Sequence, residues 1–166
     1  MNTKGFTLLE VIAAIFILTV GIGSAFALIS QTLSAASLVK ERLIASYLVQ
    51  EGIEIVRNIR DTNWLQSRTA TSTWDDGLPN GNWQADYLSQ NLTTYPSYDT
   101  SPLFLNIDAN NFYSYSSGSS TIFKRKIFIE EPSTSTIKVE VNVEWTEKGR
   151  THNFKALEYL TNWYEK

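Results

Sequence analysis

The chain opens with a long run of apolar residues. Residues 6–29 read FTLLEVIAAIFILTVGIGSAFALI, and Glu10 is the only charged residue among them. At about 1.5 Å per residue, two dozen helical residues can cross the roughly 30 Å hydrocarbon core of a membrane. The pattern therefore predicts a transmembrane helix over residues 6–30.

An amphipathic segment follows over residues 31–61, where apolar positions recur with the period of an α-helix. One arc carries Leu38, Ile44, Ala45, Leu48, Val49, Ile55, Val56 and Ile59, with Glu41 as an exception, and the opposite arc carries Lys40, Arg42, Ser46, Gln50, Glu54, Arg57 and Arg60. No proline occurs between residues 6 and 60. Because proline is the strongest helix breaker, we expect one continuous helix through both segments.

Gly21 and Gly23 are the weakest helical positions in this stretch, since each glycine is about 1 kcal/mol less favourable than alanine. Two interpretations are open. The glycines allow close packing against other membrane helices, or they let the segment extend under tension or during assembly.

The end of the chain alternates with the period of a β-strand. Within residues 136–145 one face carries Ile137, Val139, Val141, Val143 and Trp145, and the other carries Lys138, Glu140, Asn142 and Glu144. The sequences TIFKRKIFIEE before it and THNFKALEYLTNWY after it supply two partner strands. Residues 121–166 are therefore predicted to form an antiparallel meander whose apolar face is covered by the amphipathic helix, an α+β fold.

The basic cluster Lys124, Arg125 and Lys126 lies in the first of these strands. Its side chains alternate between the two faces of a strand, so we interpret it as a solvated sheet edge and not as a surface for DNA.

Residues 62–120 are rich in Ser, Thr, Asn and Tyr and contain turn signals such as DDGLPNGNW. They predict ordered loops with one short strand pair. The expected anchors are Trp64, Trp74, Trp83, Tyr87 and Phe112. Asp75 and Asp76 are weak candidates for a calcium loop, but the alternating set of oxygen ligands is incomplete, and an acidic surface turn is the preferred interpretation.

Composition narrows the functional classes. The 166 residues carry a net charge of −3, no cysteine and a single histidine, His152. Disulfides and cysteine-based metal sites are excluded, and the weakly acidic balance gives no reason to expect nucleic acid as a partner. No Ser–His or Cys–His pair, metal cluster or phosphate loop stands out, so we expect neither an enzyme nor a cofactor.

The stretch KGFTLLEV, Lys4 to Val11, resembles the processing site of bacterial type IV prepilins and type II secretion pseudopilins. The resemblance extends over the leader and the N-terminal helix, to about residue 60. It implies a leader of residues 1–5, cleavage between Gly5 and Phe6 by a membrane prepilin peptidase, N-methylation of Phe6 by the same enzyme, and an assembly role for Glu10.

The resemblance also implies a location and partners. With Lys4 at its start, the chain would cross the inner membrane once with a cytoplasmic N-terminus. It would then join other pilin or pseudopilin subunits, through an inner-membrane assembly platform, in a periplasmic or extracellular fibre.

Two departures from many major pilins favour a minor pilin or a pseudopilin: no proline lies about two dozen residues into the mature helix, and no cysteines form a C-terminal disulfide. A pilus, a secretion pseudopilus and a DNA-uptake fibre remain open. So does a fibre-tip adhesin or substrate-binding module that uses the loops at about residues 64–115.

Two further alternatives concern the apolar run. Ala25-Phe26-Ala27 has the form of a secretory cleavage site, but the run is long for a signal peptide and contains a carboxylate near its start. A single-pass anchor unrelated to fibres would leave Glu10 unexplained.

Glu10 has a physical interpretation of its own. A carboxylate within hydrocarbon costs a few kcal/mol or more, and one helical turn from the cleaved end it can remain near headgroups until subunits assemble. The new amine of Phe6 on a neighbouring subunit is then a cation at similar depth. Pairing of the two would set the axial stagger of adjacent helices.

Overall fold

The computed structural model describes residues 5, 7–67, 73–96 and 103–163. Its elements are α1 (Leu8–Gln66), β1 (Gly81–Gln84), β2 (Thr93–Thr94), β3 (Asn106–Ile107), β4 (Tyr113–Ser114), β5 (Ser119–Ser120), β6 (Phe123–Ser133), β7 (Thr136–Glu147) and β8 (Arg150–Thr161). One long N-terminal helix and antiparallel sheets confirm the predicted α+β class.

Contacts between residues divide the chain into two units, 1–41 and 42–166. In the first unit, the described helical residues are exposed except for three half-buried positions near its end, Ser37, Leu38 and Glu41. By length and composition α1 is able to cross a membrane, with a mean hydropathy of 2.5 in its most apolar window. This fits the predicted transmembrane helix.

In the second unit the main sheet has the strand order β2-β1-β6-β7-β8, and its neighbouring strands run antiparallel. The meander predicted from the alternating pattern is β6–β7–β8, and β7 alternates between buried and half-buried residues from Thr136 to Trp145. Lys148 and Gly149 join β7 to β8 with φ values of 49° and 77°. Two residues with positive φ are the backbone that a tight two-residue hairpin requires.

The second half of α1 covers the apolar face of this sheet, as predicted. Its buried positions include Ala45, Leu48, Val49 and Val56. Gly52 lies against β7 so closely that an added Cβ would come within 2.8 Å of Val141 Cγ1. The helix can approach the sheet this closely only because residue 52 has no side chain.

Two details of α1 differ from the prediction. The helix continues to Gln66 instead of ending near residue 61. Arg60, assigned to the polar arc, is buried, with its guanidinium 4.5 Å from the centre of the Trp64 ring and paired with Asp61. A guanidinium can stack on an indole ring and keep its charge paired. Arg60 can therefore be buried, although its charge predicted an exposed position.

The loop region holds more strands than the single pair predicted. β1 and β2 extend the main sheet beyond β6, and β4-β3-β5 form a second, three-stranded sheet. Trp64 and Trp74 are buried anchors as expected, whereas Tyr87 and Phe112 are 40% and 55% exposed. Other residues fill the core of this region, namely Leu78, Ala85, Tyr95 and Leu105.

The interpretation of the basic cluster as a solvated edge was wrong. β6 lies between β1 and β7 and is an interior strand. Arg125 is fully buried on the face that also carries Ile127 and Ile129, while Lys124 and Lys126 are half-buried on the other face.

Candidate processing and assembly site

The first turn of α1 is organised by a reciprocal pair of contacts between Thr7 and Glu10. The Thr7 N–H donates to Glu10 Oε2 at 3.4 Å, and the Glu10 N–H donates to Thr7 Oγ1 at 3.3 Å. The Thr7 carbonyl accepts from the N–H groups of Glu10 and Val11. This is a capping box, in which the two side chains accept reciprocally from N–H groups at the start of the helix.

The arrangement places the only carboxylate of the apolar run at the positive end of the helix. Glu10 is exposed, and its negative charge is favoured there by about 0.3–1 kcal/mol. Sequence reasoning identified Glu10 but missed Thr7. The signal that could have found Thr7 is the T-x-x-E spacing in front of an apolar run.

Of the two residues at the expected cleavage site, Gly5 is exposed and lies just before the helix. Phe6 lies outside the described residues, so the geometry of the bond between them is not described.

Gly21 and Gly23 lie inside α1, and a Cβ added at either would meet no atom within 4 Å. The Ser24 hydroxyl donates to the Gly21 carbonyl at 2.9 Å. A small residue with open space around it leaves room for another helix to approach.

Residues 1–26 match the family model described as the prokaryotic N-terminal methylation motif. The chain carries a prepilin-type N-terminus. The match covers Gly5, the capping box and most of the apolar run. No curated protein and no solved structure matches the chain at a significant level.

The prepilin-type N-terminus is followed by a domain with a buried polar cluster that sequence reasoning missed. The Arg125 guanidinium donates to the carbonyl oxygens of Leu48 (3.0 Å) and Ala85 (2.5 Å), and lies 3.2 Å from Glu51 Oε2. Tyr115 donates its hydroxyl to the Arg125 carbonyl at 2.9 Å, and burial raises the pKa of Tyr115. One side chain thus joins α1, the segment after β1, and β6.

The acidic turn, by contrast, is held by hydrogen bonds among its own residues. Asp76 accepts from the Thr73 N–H at 3.1 Å and from the Thr73 hydroxyl at 3.3 Å, and the Asp75 carbonyl accepts from the Leu78 N–H. Among the described residues, no group of three or more His, Cys, Asp or Glu side chains is placed to hold a metal ion.

Proposed function

We propose that this protein is the precursor of a structural fibre subunit, a minor pilin or pseudopilin of a type IV pilus or a type II secretion pseudopilus. The observation that carries the proposal is the prepilin-type motif at residues 1–26, placed on a helix that is apolar enough to cross a membrane. In this assignment residues 1–5 are the leader, 6–30 the transmembrane and assembly helix, and 31–61 the amphipathic half that packs on the domain. Residues 62–120 are the loop region and 121–166 the β-meander.

The proposed processing removes the leader between Gly5 and Phe6 and methylates the new amine of Phe6. A prepilin peptidase is the expected enzyme. The mature subunit waits in the inner membrane with its N-terminus on the cytoplasmic side, surrounded by lipid. It then enters a periplasmic or extracellular fibre through an assembly platform, without nucleic acid, a cofactor or catalysis of its own.

Glu10 has two successive partners in this scheme. In the free subunit the capping box with Thr7 holds the carboxylate at the start of the helix. In the fibre, where helices pack away from water, the carboxylate pairs with the Phe6 amine of a neighbouring subunit. A buried charge without a counter-charge is strongly unfavourable, so this pairing would fix the stagger between subunits.

The test replaces Glu10 with Gln or Ala in the native assembly system and follows cleavage and fibre incorporation separately. We expect both variants to be cleaved after Gly5 and incorporated at most about a tenth as well as the wild type, because a lost buried pair is worth several kcal/mol. Glu41→Gln is the matched control, since Glu41 lies on the same helix beyond the motif. Normal incorporation of Glu10→Ala would rule out the pairing.

A further inference from the structure

An open groove runs along the domain between α1 and the segment that contains the acidic turn and β1. Its helical wall extends from Glu51 to Gln66, and its volume is about 570 Å³. The other wall is formed by Asp76, Gly77, Tyr87, Ser89, Gln90 and Asn91. The sixteen residues from Glu51 to Gln66 correspond to roughly 24 Å of helix. This volume is within the range of ligand-binding sites.

The walls are mainly polar and carry side-chain amides. The carboxamides that line the groove are Asn58, Asn63, Gln66, Gln90 and Asn91. Each such group combines a donor and an acceptor in one plane. Ile55 and Ile59 supply a small apolar strip, which is too little for the apolar face of an amphipathic helix.

Charge further restricts the ligand. Glu51, Glu54 and Asp76 line the groove, and no lysine or arginine is among the described lining residues. A polyanion such as nucleic acid or an acidic glycan would therefore be repelled. Asn63 fixes the far wall by donating to the backbone carbonyls of Trp74 (3.2 Å) and Asp76 (2.7 Å).

A fixed aromatic pair adjoins the amides. Tyr87 lines the groove, and its ring centre is 5.0 Å from that of Phe112. The Tyr87 hydroxyl donates to Asp108 Oδ2 at 2.5 Å, while Asp108 Oδ1 accepts from the N–H groups of Asn110 and Phe112 at 2.8 and 2.9 Å. One carboxylate thus binds the Tyr87 hydroxyl and the Phe112 backbone, and the two rings contact each other, so little ordering is needed when a ligand packs on Tyr87.

We propose that this groove binds a neutral oligosaccharide. The C–H face of a sugar ring packs on an aromatic side chain, and its hydroxyl groups exchange hydrogen bonds with carboxamides in both directions. Tyr87 supplies the packing surface, and Gln90 and Asn91, both exposed at the groove, supply the hydrogen bonds. The site lies within residues 42–166 and does not depend on fibre assembly.

The test uses the full chain in phosphatidylcholine nanodiscs, because detergents with sugar headgroups would compete for the groove. The probes are arrayed neutral oligomers of glucose, galactose, mannose and N-acetylglucosamine, together with sialylated and sulfated glycans and an oligolysine peptide. We expect selective retention of at least one neutral oligomer.

Matched variants locate the binding. Tyr87→Ala should weaken retention about tenfold or more, and Gln90→Ala combined with Asn91→Ala should weaken it similarly. Tyr159→Ala and Asn153→Ala change exposed residues of the same types on β8 and should leave it unchanged. Near-ultraviolet circular dichroism identifies any variant that fails to fold.

Three outcomes would overturn the proposal: no neutral oligomer is retained, only acidic glycans or the peptide bind, or folded Tyr87→Ala and Gln90→Ala/Asn91→Ala variants bind as well as the two controls. None of these outcomes bears on Gly5–Phe6 cleavage, which is measured separately.

Discussion

Arg125 shows how one buried charge can join separate parts of a domain. It is fully buried, and its partners come from α1, from the segment after β1 and from the loop that contains Tyr115. Within the described part of the chain, Arg125 Nε and Glu51 Oε1 have no hydrogen-bond partner. Removing one partner of a buried ion pair leaves the other charge uncompensated and typically costs about 3–5 kcal/mol.

Arg125→Met should therefore destabilise the domain by about 3 kcal/mol, the lower end of the usual range, because the Glu51 side chain is still 31% exposed. Thermal unfolding of the nanodisc-embedded chain, followed by near-ultraviolet circular dichroism, measures this loss. Combining Arg125→Met with Glu51→Leu should restore part of it, since neither charge is then left alone. Arg150→Met, at an exposed position in β8, should change stability by only about 0.5 kcal/mol. A double variant less stable than Arg125→Met would contradict the account.

Gly52 makes a second prediction at this scale. A methyl group at residue 52 would lie 2.8 Å from Val141 Cγ1 and 3.3 Å from Arg125 Cδ. Gly52→Ala should destabilise the domain by about 1–3 kcal/mol, because the helix and sheet must move apart. Val141→Ala should relieve part of the effect in the double variant. Gly21→Ala, which has open space on the same helix, should cause no loss in the same unfolding assay.

At the scale of elements, only the helix and strands with a regular hydrophobic pattern could be predicted from the sequence. β7 is a 12-residue strand with regular alternation, and α1 has no proline, so both were predicted from their patterns. β2 to β5 have two residues each, which is too short for any period to show. Their positions depend on partners distant in sequence.

The buried Arg125 was missed although its position carried a signal. Every second residue of β6 faces the core, and Phe123 and Ile127 both do so. The alternation therefore predicts that Arg125, which lies between them, also faces the core. The charge of Arg125 suggested that its side chain would be exposed to solvent. The partners that permit its burial, the Leu48 carbonyl and Glu51, are more than 70 residues away in the sequence. Tyr87 was expected to anchor the loops; its ring is exposed, and its hydroxyl donates to Asp108, 21 residues further on, a pairing that no local pattern predicts.

The loop held by Asp108 should respond to acid. The hydrogen bond from Tyr87 lowers the pKa of Asp108 below its ordinary value. The folded pKa is therefore below the unfolded one, so the contribution to stability is complete above about pH 4 and is lost as the pH falls through the folded value. The difference in melting temperature between wild type and Asp108→Asn should be constant from neutral pH to about pH 5 and shrink below about pH 4.

Two controls accompany this titration. Tyr87→Phe keeps the ring and removes the hydroxyl, so it should reduce the same pH dependence. Tyr159→Phe, on exposed β8, should leave it unchanged. A pH profile that is identical in wild type and Asp108→Asn would show that the carboxylate does not hold the loop.

At the scale of the whole molecule, the two units differ in how much apolar surface they expose. Residues 8–41 leave large apolar side chains exposed along the helix, whereas residues 42–166 contain a core of their own. A continuous apolar surface of this kind is unfavourable in water and requires lipid or other helices around it. The prepilin-type motif lies on the unit that needs such partners.

The central claim is that the chain is cut between Gly5 and Phe6 and presents a new amine one helical turn from Glu10. Mass spectrometry of the N-terminal peptide, from protein isolated with its native membrane, tests this most directly. The account predicts a mature chain that begins with N-methylated Phe6, and accumulation of the uncut form when prepilin peptidase is absent. A chain that still begins at Met1 in wild-type cells, or one cut after Ala27, would contradict it.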